Sequence, residues 1–437
     1  MYNKITKEPI VKVGIATFEK ITFSLSNDAK IGNENVRKGN FSAFVQNDMI
    51  VLKNTDNETI VTTAKDQINL YQTDKENDFI EISDIEIGIN FHWNRREKQR
   101  FNGDFVFEKI DNKILIINII ALENYITSVI SSEMNGNNPE ELLKAHAVIS
   151  RSWLMAQISG KKLDGKQVKN DNETIVWHDR EEHDRFDVCA DDHCQRYQGI
   201  TRAYNPNVKK AIAATRGMML TYNGEICDAR FSKCCGGASE VFETCWQPVH
   251  LDYLEKVDDF NTNFTKDLTV EENANEFINS NPDAFCNTND KELLQKILND
   301  YDFESKNFYR WKVEFSQKEL SELINRKSGE DFGEIIDLIP LERGTSARIS
   351  KLKVVGTKQT KTIGKELEIR RILSETHLYS SAFTVEKNGE KFILHGAGWG
   401  HGVGMCQIGG AVMASQGYKY DEILKHYYKK AELTKLY

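Results

Sequence analysis

The sequence predicts an α+β fold, and three observations carry that prediction. Short alternating apolar runs fill the chain before residue 117, helical periodicity takes over across residues 122–159, and alternation returns near the C-terminus. The early runs are IVKVGIATF, FSAFVQ, MIVLK and NKILIINII, separated by Asn, Asp and Gly clusters. They make residues 1–116 a β-rich N-terminal portion. Leu122, Tyr125, Ile126, Val129 and Ile130 then recur at spacings of three and four, which predicts the first helix of a helical hairpin. The second helix has its own start signals: Asn138 as cap, Pro139 at the first helical position, and Glu140 and Glu141 where the dipole favours them. MNGNN is then the turn between them.

This hairpin opens a mixed core over residues 117–255, continued by a polar loop at 160–182 and short strands around Met218–Leu220 and Ile226–Phe231. Residues 256–345 read as a mixed α/β insertion, with helical KELLQKILNDY and QKELSELINRK on either side of strand-like RWKVEF. The core resumes over residues 346–437 with ISKLKVVG and SAFTVEK, followed by a glycine-punctuated strand and two short helices.

A chain of 437 residues exceeds one hydrophobic core. Its 40% hydrophobic and 28% charged residues, with six prolines, are those of a globular protein. A net charge of −9 argues against a nucleic-acid partner. No apolar run of signal-peptide length follows the first residues, and Ile114–Leu122, interrupted by Asn118, is too short to span a bilayer. Neither an export signal nor a membrane anchor is therefore visible. Eight cysteines suit disulfides outside the cytoplasm or metal and thiol chemistry inside it, and spacing does not choose. Adjacent Cys234 and Cys235 cannot readily bridge each other, so at least one needs a distant partner.

Four stretches could carry chemistry. Glu133 continues the apolar face of the first helix, four residues after Val129, and a partly desolvated carboxylate there would have a raised pKa suited to a general acid. Pairing with Arg151 or Lys144 is the plainer reading of the same spacing. In ILHGAGWGHGVGMCQIGG, glycines 396, 398, 400, 402 and 404 recur with period two, as on a bare strand face. That face admits a ligand, with His395, Trp399, His401 and Gln407 nearby, or simply tight packing; no phosphate-loop or dinucleotide spacing is present. HDRFDVCADDHC gathers His183, Cys189, His193 and Cys194, a donor set for zinc that is equally open to a disulfide or to inert thiols, with His178 as a further ligand. FSKCCGGASEVFETCW offers Ser232 and Lys233 ahead of a Gly236–Gly237 turn, as a nucleophile region lacking an assignable base or as a strand, turn and packing cysteines.

Glu133-Met134, KAHAVISRSW and GWGHGVGMCQIGGAVMASQG together resemble the SpoIID/LytB family. The likeness extends loosely through FSKCCGGASE and covers residues 117–254 and 346–432. The chain departs from the family pattern at His146 for Gln, Ser152-Trp153 for Thr-Tyr, and Cys406 for Ser. The resemblance implies a lytic transglycosylase of peptidoglycan glycan strands, acting in the cell envelope. In that scheme Glu133 is the single acid and base, and the cut between N-acetylmuramic acid and N-acetylglucosamine leaves a 1,6-anhydro end. It further implies that Arg151, Ser232, Lys233, His401 and Gln407 bind substrate and that His183, Cys189 and Cys194 hold zinc. The family also contains amidase enhancers, so activation of a separate cell-wall amidase is the alternative role. A protein whose cysteines matter most, as thiols or zinc ligands, is a third.

Overall fold

Lys113–Ala121 is buried along almost its whole length, which an alternating half-buried strand would not be; it has neighbours on both faces and both edges. The computed structural model describes residues 5–88, 94–134, 136–159, 165–178, 183–191, 194–203, 205–259, 265–297 and 308–437. These divide into two compact units, one of residues 2–137, 180–218 and 435–437, the other of 138–179 and 219–434.

In the first unit Lys113–Ala121 pairs antiparallel with Ile10–Phe18 and with Asp104–Ile110, inside a seven-stranded sheet that ends at the short strand Val188–Cys189. A six-stranded sheet built around Lys20–Leu25 and Gly39–Gln46 lies against it. Phe23 of that sheet meets Phe41 at 5.6 Å and Phe107 of the larger sheet at 5.4 Å, so aromatic rings fill the space between. Helix α1, Leu122–Glu133, leaves the end of the central strand directly, burying Leu122, Tyr125, Ile126, Val129 and Ile130 as their spacing predicts.

The residue that breaks the apolar run, Asn118, is fully buried and fully used. Its Nδ2 donates to the carbonyls of Asn102 and Asp104 at 2.9 and 3.1 Å, and its Oδ1 accepts the Tyr197 hydroxyl at 2.5 Å. Tyr197 stacks on Tyr125 at 5.2 Å. The loop before it is held at a second point, where Val188–Cys189 runs parallel to Val13–Gly14. Gly14 is required there, because a Cβ would stand 2.5 Å from the Phe186 ring. A helix unforeseen in the sequence, α3, spans Pro206–Ala214, although Asn205 caps it through Asn207 N–H at 2.9 Å and Pro206 opens it, the usual start signals.

In the second unit, helix α2, Glu140–Ser159, begins one residue later than expected: Pro139 lies just outside it and its carbonyl accepts Leu143 N–H. Asn135 of the expected turn lies outside the described residues, as do parts of the 160–182 loop; between those parts, Val168–Lys169 and Glu173–Ile175 form strands rather than loop. The latter runs parallel to Thr360–Gly364 in a five-stranded sheet with Ile349–Gly356 and Ile335–Arg343. Arg310–Ser316 pairs with Lys391–Ala397, so strands before residue 345 share sheets with strands after it. Leu320 and Ile324 of the helix Gln317–Ser328 pack with Trp311, Leu352, Ile369 and Leu394 in one core. That helix carries a capping box between Ser316 and Glu319 and stops at Gly329, φ 74°.

Gly396 lies in the strand Lys391–Ala397, but beyond it the glycine-punctuated stretch is not a continuous strand. Gly398, Gly400, Gly402 and Gly404 have φ of 74°, 89°, 77° and 72°, and only Met405–Cys406 pairs as strand. Each turn to positive φ reverses the local direction, which is why the period-two pattern imitates a bare sheet face. Past the two short helices, Gln407–Ser415 and Tyr420–Tyr427, the chain adds a strand, Glu432–Lys435. Among the described residues no helix is long and apolar enough to cross a membrane.

Asn118→Leu strands the Tyr197 hydroxyl and two backbone carbonyls in the interior. We expect it to destabilise the first unit by roughly 2–4 kcal/mol, and Tyr197→Phe by about 1 kcal/mol, read as a fall in the urea midpoint monitored by far-UV circular dichroism.

Candidate functional site

Glu133 is the last residue of α1 and is half-buried. Its Oε1 accepts the backbone N–H of Arg196 at 2.9 Å, and the Arg196 guanidinium reaches the Ser132 carbonyl at 3.4 Å, where a cation suits the helix terminus. This places the carboxylate against the same loop that Asn118 and Gly14 anchor. Ser128 Oγ, one turn earlier, accepts Gln198 N–H at 3.2 Å, fastening the far side of that loop to the helix.

The loop also carries the predicted metal ligands. The ligand atoms of His183, Cys189 and Cys194 all lie within 4.8 Å of one another, His183 Nε2 being 3.6 Å from Cys194 Sγ, and all three residues are half-buried. A tight turn makes this possible: Cys194 N–H donates to Asp191 O at 3.0 Å and Tyr197 N–H to Ala190 O at 3.0 Å. The set fits a three-ligand soft-metal site that keeps one position open to solvent. Tyr125 supports the fit. Its hydroxyl is buried and lacks a hydrogen-bond partner among the described residues, and burial first, then Cys194 and Cys189, hold its pKa well above the ordinary value. His193 lies outside the described residues, and His178, of the other unit, bonds to Glu368 at 2.9 Å.

In the second unit the glycine segment lies across the chain from Arg230 to Glu240. Cys234 and Trp399 exchange backbone hydrogen bonds, Glu240 N–H meets Gly402 O at 2.9 Å, and Phe231–Ser232 runs parallel to Met405–Cys406. The glycines permit this approach: a Cβ at 404 would stand 1.9 Å from Arg230 O, and one at 402 would stand 2.3 Å from the Arg348 guanidinium. Arg348, fully buried, gives hydrogen bonds to Gly400 O, Cys235 O and Ser346 Oγ. Ser346 in turn donates to Glu240, a buried carboxylate also held by Thr244, Thr345 and the Val241 N–H. No sequence motif announces this pair; partner identity across 108 residues is set by topology alone.

His401 is half-buried, packs edge-on against Trp246 at 4.9 Å and accepts Val403 N–H on Nδ1 at 3.0 Å. Burial, with Arg230, Arg348 and Arg370 nearby, holds it well below the ordinary histidine pKa, so it is a neutral ring. Gln407 opens the helix Gln407–Ser415, and its amide donates to His146 Nε2 at 3.1 Å. His146 therefore carries its proton on Nδ1, 3.2 Å from Ser150 Oγ. Burial and then the Lys233 charge lower its pKa to about 3. Ser232 Oγ is buried without a partner among the described residues, Lys233 is half-buried beside it, and Arg151 of α2 is wholly buried. The structure thus gathers Glu133, His183, Cys189 and Cys194 in one unit, and Ser232, Lys233, His401, Gln407 and Arg151 in the other.

The segment that holds the helix-end carboxylate and the thiol–imidazole cluster is also the one that matches a SpoIID domain, a family linked to cell-wall processing. Residues 110–222 match the family model described as stage II sporulation protein, and residues 240–404 match a domain of unknown function, DUF8618. Stage II sporulation protein D of Bacillus subtilis is 25% identical over 72% of this chain and 75% of its own length. An uncharacterized protein of Brachyspira hyodysenteriae is 25% identical over 76% and 72%. The amidase enhancer of Bacillus subtilis is 27% identical over 55% of this chain but only 34% of that protein. Residues 110–222 thus carry a SpoIID domain, and the chain as a whole is similar to stage II sporulation protein D and, over a shorter stretch, to an amidase enhancer.

Because folded His146 resists protonation down to about pH 3 while the unfolded chain takes the proton near 6.5, stability falls as pH drops through that window. The expected slope from this group is about 1.4 kcal/mol per pH unit. His146→Gln, which keeps an amide partner for Gln407, should flatten the dependence of the urea midpoint on pH between 6 and 4 by roughly that amount.

Proposed function

We propose that this chain is a lytic transglycosylase that cuts peptidoglycan between N-acetylmuramic acid and N-acetylglucosamine, with Glu133 as acid and then base. The observation that carries the reading is the placement of Glu133, half-exposed at a helix end and fixed through Oε1 by the Arg196 amide, within the segment that matches the family model. The protonated carboxyl gives its proton to the glycosidic oxygen as the bond from that oxygen to muramic C1 breaks. The resulting carboxylate takes the proton of the C6 hydroxyl while O6 closes on C1, so water is not consumed and no second carboxylate is required.

His183, Cys189 and Cys194 would hold a zinc ion, which when bound supplies fixed positive charge on the loop whose Arg196 amide holds Glu133. Ser232 offers a hydroxyl with no partner among the described residues, Lys233 a cation and His401 a neutral ring for sugar contacts. Arg151 and Gln407, both buried, act behind them as positioning residues. The substrate places the activity in the cell envelope. A second reading, activation of a cell-wall amidase without cleavage, is favoured by the likeness to the protein named amidase enhancer.

Purified peptidoglycan digested with the wild-type chain should yield anhydro-muropeptides by mass spectrometry, and Glu133→Gln should lower their release roughly 10²–10⁴-fold. Release unaffected by Glu133→Gln would overturn the assignment. Stimulation of an added amidase by both proteins, without anhydro ends, would establish the second reading instead.

A further inference from the structure

A second cluster of metal-type donors lies deep in the other unit, and the reading above makes no use of it. Cys235 follows the short strand Phe231–Ser232, Asp259 and Cys286 come from the stretch after it, and Cys406 caps the helix Gln407–Ser415. Their ligand atoms all lie within 4.8 Å of one another. Cys235 is 3% exposed, Cys286 2%, and Cys406 and Asp259 0%. All eight cysteines of the chain are free thiols.

The spacing discriminates between kinds of bond. Cys235 Sγ and Cys286 Sγ are 3.6 Å apart. Two thiolates on a tetrahedral zinc with bonds near 2.3 Å sit about 3.8 Å apart, whereas disulfide sulfurs sit about 2.05 Å apart. Hydrogen bonds from the surroundings orient the donors. Cys406 Sγ accepts the N–H groups of Cys235 and Gly409, each at 3.3 Å, the second from the first turn of the helix it caps. Asp259 accepts Cys286 N–H at 2.9 Å and the Tyr427 hydroxyl at 2.6 Å, the outer contacts that orient a ligating carboxylate. Gly409 leaves room for them, since a Cβ there would stand 2.3 Å from Tyr427 Oη and 2.7 Å from Asp259 Oδ1.

Among the described residues no lysine or arginine side chain bonds to any of the four donor groups. His426 Nε2, 3.9 Å from Asp259 Oδ1, is buried with no hydrogen-bond partner among them. Three buried thiols and a carboxyl converging with no basic side chain bonded to them suit a divalent cation that displaces the thiol protons as it binds.

We propose that Cys235, Asp259, Cys286 and Cys406 form a structural binding site for a zinc-class divalent cation, distinct from the His183 group. The ion ties together three segments far apart in the chain, one adjoining Ser232 and Lys233 and another adjoining Gln407. Cys406, which stands where the SpoIID/LytB pattern has serine, makes the site a property of this chain.

The full chain, purified under reductant and supplied with Zn²⁺, is assayed for bound metal by plasma mass spectrometry. Cys189→Ser/Cys194→Ser should retain about one equivalent, and adding Cys286→Ser should abolish it. Co²⁺ titrated into the folded double variant should give the thiolate-to-cobalt absorption band of a multi-cysteine tetrahedral site, which decides the matter even if the triple variant does not fold. A folded double variant that binds neither Zn²⁺ nor Co²⁺, or a Cys235–Cys286 disulfide mapped in the metal-supplied protein, would overturn the proposal. Both readouts are independent of glycan cleavage.

Discussion

One hydrogen bond, from the Arg196 amide to Glu133, fixes the geometry on which the catalytic reading rests. A helix-end glutamate has three rotatable side-chain bonds, and a single side chain leaving a single helix is not fixed by that helix alone. The loop that supplies the amide is itself tied at Tyr197 by the buried Asn118 and at Cys189 by pairing beside Gly14. A polar residue at the centre of the most apolar strand is costly to bury unless every bond is made, and here all three of its polar contacts are made to protein groups. The stability of the sheet is thereby converted into precision at the carboxylate.

In the other unit the organising device is a run of left-handed glycines instead of a sheet edge. It lets backbone pass within contact distance of Arg230 O and of the Arg348 guanidinium, and so sets Phe231–Ser232 beside Met405–Cys406. Buried charges here are held in two ways: Glu240 by hydroxyls and amides and Arg348 by carbonyls, with Ser346 joining them, and Arg230 by direct pairing with Asp228 at 2.8 Å. Neutral His146 and His401 fit the same logic, since protonating either would add charge to an interior already holding arginines and Lys233.

Much of this was legible in the sequence. Ile10–Phe18, Ile349–Gly356 and α1 follow from alternation or helical spacing, because those patterns report directly which face is buried. That His183, Cys189 and Cys194 come together was legible because residues of this type cluster locally in the sequence. The glycine segment was misread, since period two is shared by a pleated strand and by backbone that alternates into positive φ. Asp259 and Cys286 went unnoticed because a cluster built from distant segments leaves no local spacing to find. The partners of Glu240 and Arg348 were hidden for the same reason.

The most direct test of the account is the source of the oxygen at the newly cut end. Peptidoglycan digested by the wild-type chain in H₂¹⁸O should give anhydro-muropeptides free of ¹⁸O, because the attacking oxygen is the sugar's own C6 hydroxyl. Reducing ends carrying ¹⁸O would mean that water is the nucleophile and would contradict it.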